Sequence, residues 1–84
     1  MLIMLGNRYC KDCIQAEERL KASGKPYAFH DFCDNMDYMR EFLQCRDGHP
    51  EVFAPIIAQG GIGIPCFLLE DGSVTHDLEQ ALKD

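Results

Sequence analysis

The sequence has few basic residues and no long apolar segment. Eight lysines and arginines stand against 14 aspartates and glutamates, so the 84 residues carry a formal net charge of −6. That charge repels phosphate backbones and anionic lipids, so we expect no nucleic-acid partner and no membrane. The apolar opening MLIMLG is too short for a signal peptide or a membrane span. We therefore expect a cytoplasmic protein.

Internal repeats and low-complexity tracts are also missing, and the length fits a single domain over residues 1–84. The five cysteines form an odd set, unlike the even sets of secreted disulfide scaffolds. In a reducing compartment, two thiols close together indicate catalysis or metal binding rather than a structural disulfide.

The first third of the chain has the pattern of a βαβ unit. The apolar run LIMLG predicts a strand over 2–6, and good helix formers predict a helix from Cys10 or Lys11 to about Ser23. The run YAFHDF predicts a second strand over 27–32. The strands of such a unit are parallel, and its crossover is almost always right-handed.

A second helix is predicted over DNMDYMREFLQC, with Asp34 or Asn35 as its N-cap. Its expected apolar stripe consists of Met36, Met39, Phe42 and Leu43.

The remaining elements are a loop, a hairpin and a last helix. Residues 46–63 contain several glycines and prolines, so they predict a loop with one helical turn near 51–58. The pair Asp71-Gly72 predicts a tight turn between two strands, and Asp77 predicts the start of a short helix. The predicted order is β-α-β-α-β-β-α, a small mixed sheet flanked by helices.

Cys10 and Cys13 are the residues with the clearest chemistry. Two residues separate them in NRYCKDC, where the first strand leads into the first helix. Unpaired backbone N–H groups and the helix dipole stabilise a thiolate at that position. Side chains three positions apart on a helix are neighbours, so the two thiols can close into a disulfide. We predict that Cys10 attacks a disulfide and that Cys13 resolves the product.

A zinc site is one alternative use of such a pair. Zinc sites usually combine one Cys-x2-Cys pair with a second pair or with two histidines. The other cysteines (Cys33, Cys45 and Cys66) are interpreted as packing residues, and the three histidines as isolated. We therefore predict no metal ligands.

The motif and its setting resemble the small glutaredoxin-related proteins of the thioredoxin superfamily. The resemblance rests on LIMLGNRYCKDC, on GIPCFLLEDG and on the order of the elements, and it covers nearly the whole chain. It implies a thioredoxin-like fold and a thiol–disulfide oxidoreductase of electron transport and cell redox homeostasis. Its partner would be glutathione or a disulfide-containing protein, and it would need no cofactor other than glutathione as a co-substrate.

The resemblance also implies a substrate surface around the thiols. Pro65 matches a proline with a cis peptide bond that faces the active site, and the backbone of Ile64 would pair with the substrate. Thr75-His76 replaces a Gly-Gly pair that holds glutathione in typical members, so the thiol chemistry is better supported than glutathione as substrate. The implied substrate-binding residues are Arg8, Tyr9, Lys11, Ile64, Pro65, Thr75, His76 and Asp77.

Two other functions stay open for the same fold. One is an iron–sulfur or other metal-binding module, for which a dimer bridged through Cys10 thiolates is one form. The other is a non-catalytic redox sensor whose partner binding depends on oxidation.

Overall fold

A four-stranded sheet with helices on both faces forms the protein, as seen in a computed structural model that describes residues 1–84. In chain order the elements are β1 (Leu2–Gly6), α1 (Lys11–Ser23), β2 (Tyr27–Asp31), α2 (Met36–Gly48), α3 (Pro50–Ala58), β3 (Cys66–Leu68), β4 (Val74–Thr75) and α4 (Leu78–Lys83). The predicted mixed α/β class is confirmed, although the chain has four helices where three were predicted. None of these helices has the length and apolar character needed to cross a membrane.

The strand order is β2-β1-β3-β4. β1 and β2 are parallel and in register from Leu2 opposite Tyr27 to Gly6 opposite Asp31, which confirms the βαβ unit. β3 runs antiparallel to β1, with Cys66 opposite Leu5. β3 and β4 form the hairpin predicted around Asp71-Gly72.

Successive residues of β1 point to opposite faces of the sheet, so the protein has two cores. α1 and α4 cover the first core, whose buried residues are Leu2, Met4, Cys13, Ala16, Leu20, Phe67, Leu69 and Ala81. α2 and α3 cover the second core, whose buried residues are Leu5, Phe42, Cys45, Phe53, Cys66 and Val74. The predicted inner stripe of α1 at Cys13, Ala16 and Leu20 is confirmed.

Side-chain caps fix the starts of two helices where the sequence predicts them. The side-chain oxygen of Asn35 accepts a hydrogen bond from the backbone N–H of Asp37 at 2.7 Å, which opens α2. Asp77 accepts one from the N–H of Glu79 at 3.0 Å, which opens α4. Each cap satisfies a donor that the first helical turn leaves unpaired.

The prediction for residues 46–63 is wrong in part, because helix occupies more of this segment than expected. α2 continues to Gly48, and α3 spans nine residues instead of one turn. Pro50 lies at the first position of α3, where a helix needs no N–H donor, so this proline starts the helix rather than breaking it. Phe53, which is fully buried, anchors α3 to the second core.

The buried stripe of α2 is also narrower than predicted. Phe42 and Cys45 are buried, whereas Met36 and Leu43 are largely exposed. A helix turns by about 100° per residue, so Leu43 points about 100° away from Phe42, and Met36 about 120° away. The hydrophobic character of these two residues therefore did not decide their burial.

Candidate thiol site

Cys10 and Cys13 lie one helical turn apart at the start of α1. Cys10 is the N-cap residue, and its Sγ accepts a hydrogen bond from the backbone N–H of Cys13 at 3.2 Å. The Cys10 side chain is half-buried, whereas Cys13 is only 1% exposed. A molecule that approaches from solvent therefore meets Cys10 first, as predicted from their order in the helix. The attacking and resolving roles stay predictions.

The two thiols differ in their surroundings. Burial and, to a smaller extent, the hydrogen bond to the Cys10 thiol raise the pKa of Cys13 to about 12. A hydrogen bond with the backbone of Asn7 acts in the opposite direction but is the smaller effect. Cys13 is therefore a protonated thiol at neutral pH, held beneath Cys10.

Gly6 provides the space that the Cys13 thiol occupies. A Cβ atom at Gly6 would lie 2.5 Å from Cys13 Sγ, well inside normal contact distance. β1 therefore ends on the one residue type that lets the buried sulfur pack against its backbone.

Replacing Gly6 with alanine is expected to lower the free energy of unfolding by about 1–3 kcal/mol, since the buried thiol has to move to make room. Gly48→Ala is the matched control, because nothing lies within 4 Å of a Cβ at Gly48 and that residue is in α2. Alanine favours a helix over glycine by about 0.5–1 kcal/mol, so the control should be neutral or slightly stabilising. Urea unfolding of both variants measures the difference, and equal stabilities would contradict the packing described for Gly6.

Arg8, predicted to bind substrate, is held by acidic residues of β2 and the turn after it. Its guanidinium group pairs with Asp31, 3.0 Å away, and also contacts Asp34. The Asp31 carboxylate, largely buried, accepts further hydrogen bonds from the backbone N–H groups of Arg8 and Cys33. Arg8 therefore ties the loop before Cys10 to the end of β2. Tyr9 is 75% exposed, with the Arg8 guanidinium 5.1 Å from the centre of its ring.

Ile64 and Pro65 line a cleft of about 770 Å³ that runs along α1. The peptide bond between them is cis, which confirms the predicted geometry of Pro65. Asp12 and His76 also line this cleft, but neither Cys10 nor Cys13 does. The structure thus brings three predicted substrate residues, Ile64, Pro65 and His76, to one cleft beside the thiol pair.

Thr75, His76 and Asp77 make contacts within the protein itself. His76 Nε2 lies 2.9 Å from the carbonyl oxygen of Gly63. Thr75 Oγ1 accepts a hydrogen bond from the backbone N–H of Asp77, which caps α4. These residues therefore hold the hairpin and α4 in place. Lys11, the first residue of α1, is exposed beside Cys10.

Comparison with protein families gave one match, to a zinc-finger family (zf-C2HCIx2C) over residues 2–36. The matched segment is less than half of the chain and runs from β1 to the start of α2. Neither the curated proteins nor the solved structures gave a match.

The matched segment contains a pair that the sequence-based prediction missed. His30 and Cys33 have the same two-residue spacing as Cys10 and Cys13, and all four lie within residues 2–36. Three cysteines and one histidine are an established ligand set for tetrahedral zinc. The sequence-based prediction depended on a second Cys-x2-Cys pair or on two histidines. A mixed pair with His-x2-Cys spacing was the signal that could have revealed these two residues.

The fold does not bring these four side chains together. His30 is opposite Leu5, which lies in the second core, whereas Cys13 lies in the first core on the other face of the sheet. The His30 ring stacks on Tyr38 at 4.2 Å, and its Nδ1 lies 2.6 Å from the carboxylate of Glu41. No group of three or more histidine, cysteine or acidic side chains is placed to hold a metal ion. Cys10 and Cys13 are neighbours in this fold, whereas His30 is separated from them by the sheet.

These comparisons correct three predictions. The match is to a zinc-finger family and not to a glutaredoxin family, which contradicts the identification of the chain as glutaredoxin-related. The broader description as an oxidoreductase of electron transport and redox homeostasis is contradicted with it. The prediction of no cofactor is contradicted too, because a zinc-finger family implies zinc.

Proposed function

We propose that the protein is a metal-binding module that holds zinc through the thiolates of Cys10 and Cys13. The placement of both sulfurs in the first turn of α1, inside the segment that matches a zinc-finger family, carries this proposal. Thiolate sulfur is a preferred zinc ligand, and the positive end of α1 favours the charge that two thiolates bring. Each thiol has to lose its proton to bind, so zinc binding would release protons.

Two thiolates supply half of a tetrahedral zinc site, and the other half has to come from elsewhere. His30 cannot supply a ligand without a rearrangement, because it lies on the opposite face of the sheet. A second copy of the chain is the better source. Cys10 is partly exposed, and the exposed apolar side chains of Tyr9 and Ile14 flank it on a surface that another copy could cover. The proposal is therefore a zinc-bridged dimer.

Zinc stoichiometry and molecular mass test this proposal together. Metal-free protein is titrated with Zn²⁺ against a chromophoric chelator, and its mass is followed by native mass spectrometry. The expected result is about one zinc ion per two chains, with dimer formation that depends on zinc. One zinc ion per monomer, lost on replacing His30 and Cys33 by alanine, would instead place the ligands within one rearranged chain. Binding no tighter than that of a Cys10→Ser/Cys13→Ser protein would reject the metal site.

A second candidate function, thiol–disulfide exchange by the metal-free protein, is supported by the stacking of an accessible thiol over a buried one. Cys10 thiolate would attack a disulfide and expel one thiolate, and Cys13 would then attack Cys10 and release the second. The products are a Cys10–Cys13 disulfide and two free thiols, so the electrons balance. Zinc on the same sulfurs would block this reaction, which makes the two functions exclusive at any moment.

The Cys13→Ser protein tests exchange directly, with oxidised glutathione as a small disulfide probe. It is expected to accumulate a mixed disulfide on Cys10, because no second thiol remains to release it. The native protein should pass through this state to the internal disulfide and return with dithiothreitol. If Cys13→Ser protein shows no adduct on Cys10, exchange at this site is ruled out. Exchange without catalytic turnover would favour a redox sensor.

The proposal extends to fold type and location. The strand order β2-β1-β3-β4, the parallel β1–β2 pair and a cis proline before β3 support a thioredoxin-like arrangement. Five cysteines that are all unpaired support a reducing compartment such as the cytoplasm.

A further inference from the structure

Two cysteines outside the candidate site meet in the second core. Cys45 lies on α2, near its C-terminal end, and Cys66 is the first residue of β3. Both belong to the same buried cluster of the second core. Both are free in this structure. The sequence alone gave these residues only a packing role, because 20 residues separate them and no motif links them.

The two thiols differ in access. Cys45 is 8% exposed, whereas Cys66 is fully buried. A small reagent therefore reaches Cys45 more readily than Cys66. This is the arrangement of a reacting thiol with a second thiol ready to capture its product.

The surroundings of Cys45 favour its reactive form. A hydrogen bond from Cys66, together with the nearby charge of His49, lowers the pKa of Cys45 to about 7 although burial and Glu41 act in the opposite direction. The His49 ring is held in place at the junction of α2 and α3, where its Nδ1 lies 2.8 Å from the carbonyl oxygen of Cys45. Sharing its proton with Cys45 makes Cys66 the thiol that stays protonated.

We propose that Cys45 and Cys66 form an oxidation site for hydrogen peroxide that closes into an internal disulfide. The Cys45 thiolate attacks one peroxide oxygen, the O–O bond breaks, and hydroxide leaves, which gives a sulfenic acid on Cys45. The Cys66 sulfur then attacks the Cys45 sulfur and displaces water. One peroxide is reduced to two water molecules overall, while two thiols are oxidised to one disulfide.

The disulfide would link α2 to the strand that carries the cleft. Cys66 directly follows Pro65, which lines the cleft beside α1. Oxidation in the second core would therefore fix the start of β3 at a position next to the candidate metal site. Neither Cys10 nor Cys13 takes part, so this inference does not depend on the proposed function.

A protein in which Cys10, Cys13 and Cys33 are all replaced by serine isolates the pair. It is exposed to equimolar hydrogen peroxide, denatured, alkylated with iodoacetamide and mapped by mass spectrometry. Both remaining cysteines are expected to lose alkylation together in a linked Cys45–Cys66 peptide, and dithiothreitol should reverse this. At pH 7 the reaction of Cys45 should be about threefold faster than that of free cysteine, because about half of it is thiolate compared with a few per cent, while its lower pKa makes each thiolate less nucleophilic.

Single replacements within this protein give the matched controls. With Cys66→Ala, dimedone should label a sulfenic acid on Cys45, and with Cys45→Ala, Cys66 should stay reduced. Peptide mapping of peroxide-treated native protein checks the linkage in a chain whose folding is not in question. Links only between chains, sulfinic acid on Cys45 beside a free Cys66, or oxidation no faster than that of free cysteine would each overturn the proposal.

Discussion

Zinc binding is expected to weaken at least several thousandfold when either Cys10 or Cys13 is replaced by serine, and to disappear when both are. Structural zinc sites with four ligands bind with about 10–16 kcal/mol, and either replacement removes two of the four ligands from the proposed dimer, so the loss is roughly 5–8 kcal/mol. A tenfold change in affinity corresponds to about 1.4 kcal/mol, which gives the expected factor. A hydroxyl group keeps the size of the side chain but does not ionise at neutral pH, so the change removes the ligand with little change in packing.

Cys33→Ser is the matched control for these variants. Cys33 is exposed, follows β2 and is the other cysteine of the matched segment, but it lies outside the Cys10–Cys13 pair. In the proposed dimer its loss should leave affinity within about twofold of the native value. Cobalt offers a second readout, since thiolate ligands give Co²⁺ a charge-transfer band that should weaken stepwise from native protein to the double variant. A large loss for Cys33→Ser, with little for Cys10→Ser, would move the site to the other end of the matched segment.

The sequence was enough to predict the βαβ unit, the hairpin and the positions of Cys10 and Cys13. Each depends on local signals that act within a few residues, such as the apolar run of β1, the Asp71-Gly72 turn and the caps at Asn35 and Asp77. Residues 46–63 were harder, because a proline at the first turn of a helix and a proline that ends one look alike in sequence. Burial of Phe53 decided between them, and burial depends on residues distant in sequence.

The two thiol pairs show the same limit. Cys10 and Cys13 are three residues apart on one helix, so their proximity follows from helix geometry alone. Cys45 and Cys66 meet only because α2 and β3 pack in the same core, which no spacing rule shows. His30 and Cys33 show the converse, since their spacing suggests ligands for the same metal as Cys10 and Cys13, but sheet register places His30 on the far face. Spacing identifies possible ligands, whereas the fold decides which of them can meet.

Phe53→Ala is expected to cause the largest loss of stability of any single change considered, about 3–5 kcal/mol. The Phe53 ring is fully buried and packs edge-on against Phe42 at 6.3 Å and against His76 at 4.7 Å. A domain of this size has about 4–13 kcal/mol of stability in total, so the variant should be only marginally folded at room temperature. Urea unfolding measures the loss, and Phe53→Leu, which retains most of the apolar volume, should recover more than half of it.

Ile57→Ala is the control, because Ile57 lies one turn further along α3 and is 43% exposed, so its loss should cost less than about 1 kcal/mol. Similar losses for the two variants would mean that α3 does not depend on the second core.

Phe53 also reaches the cleft: a Cβ at Gly63 would lie 2.6 Å from its ring, and His76 hydrogen-bonds to the Gly63 carbonyl. The Phe53→Leu protein should therefore loosen the segment leading to Ile64 and Pro65, which faster amide exchange there would report. Since Cys10 and Cys13 belong to the first core, that protein should keep its zinc affinity, which separates the stability of the second core from the chemistry of the thiols.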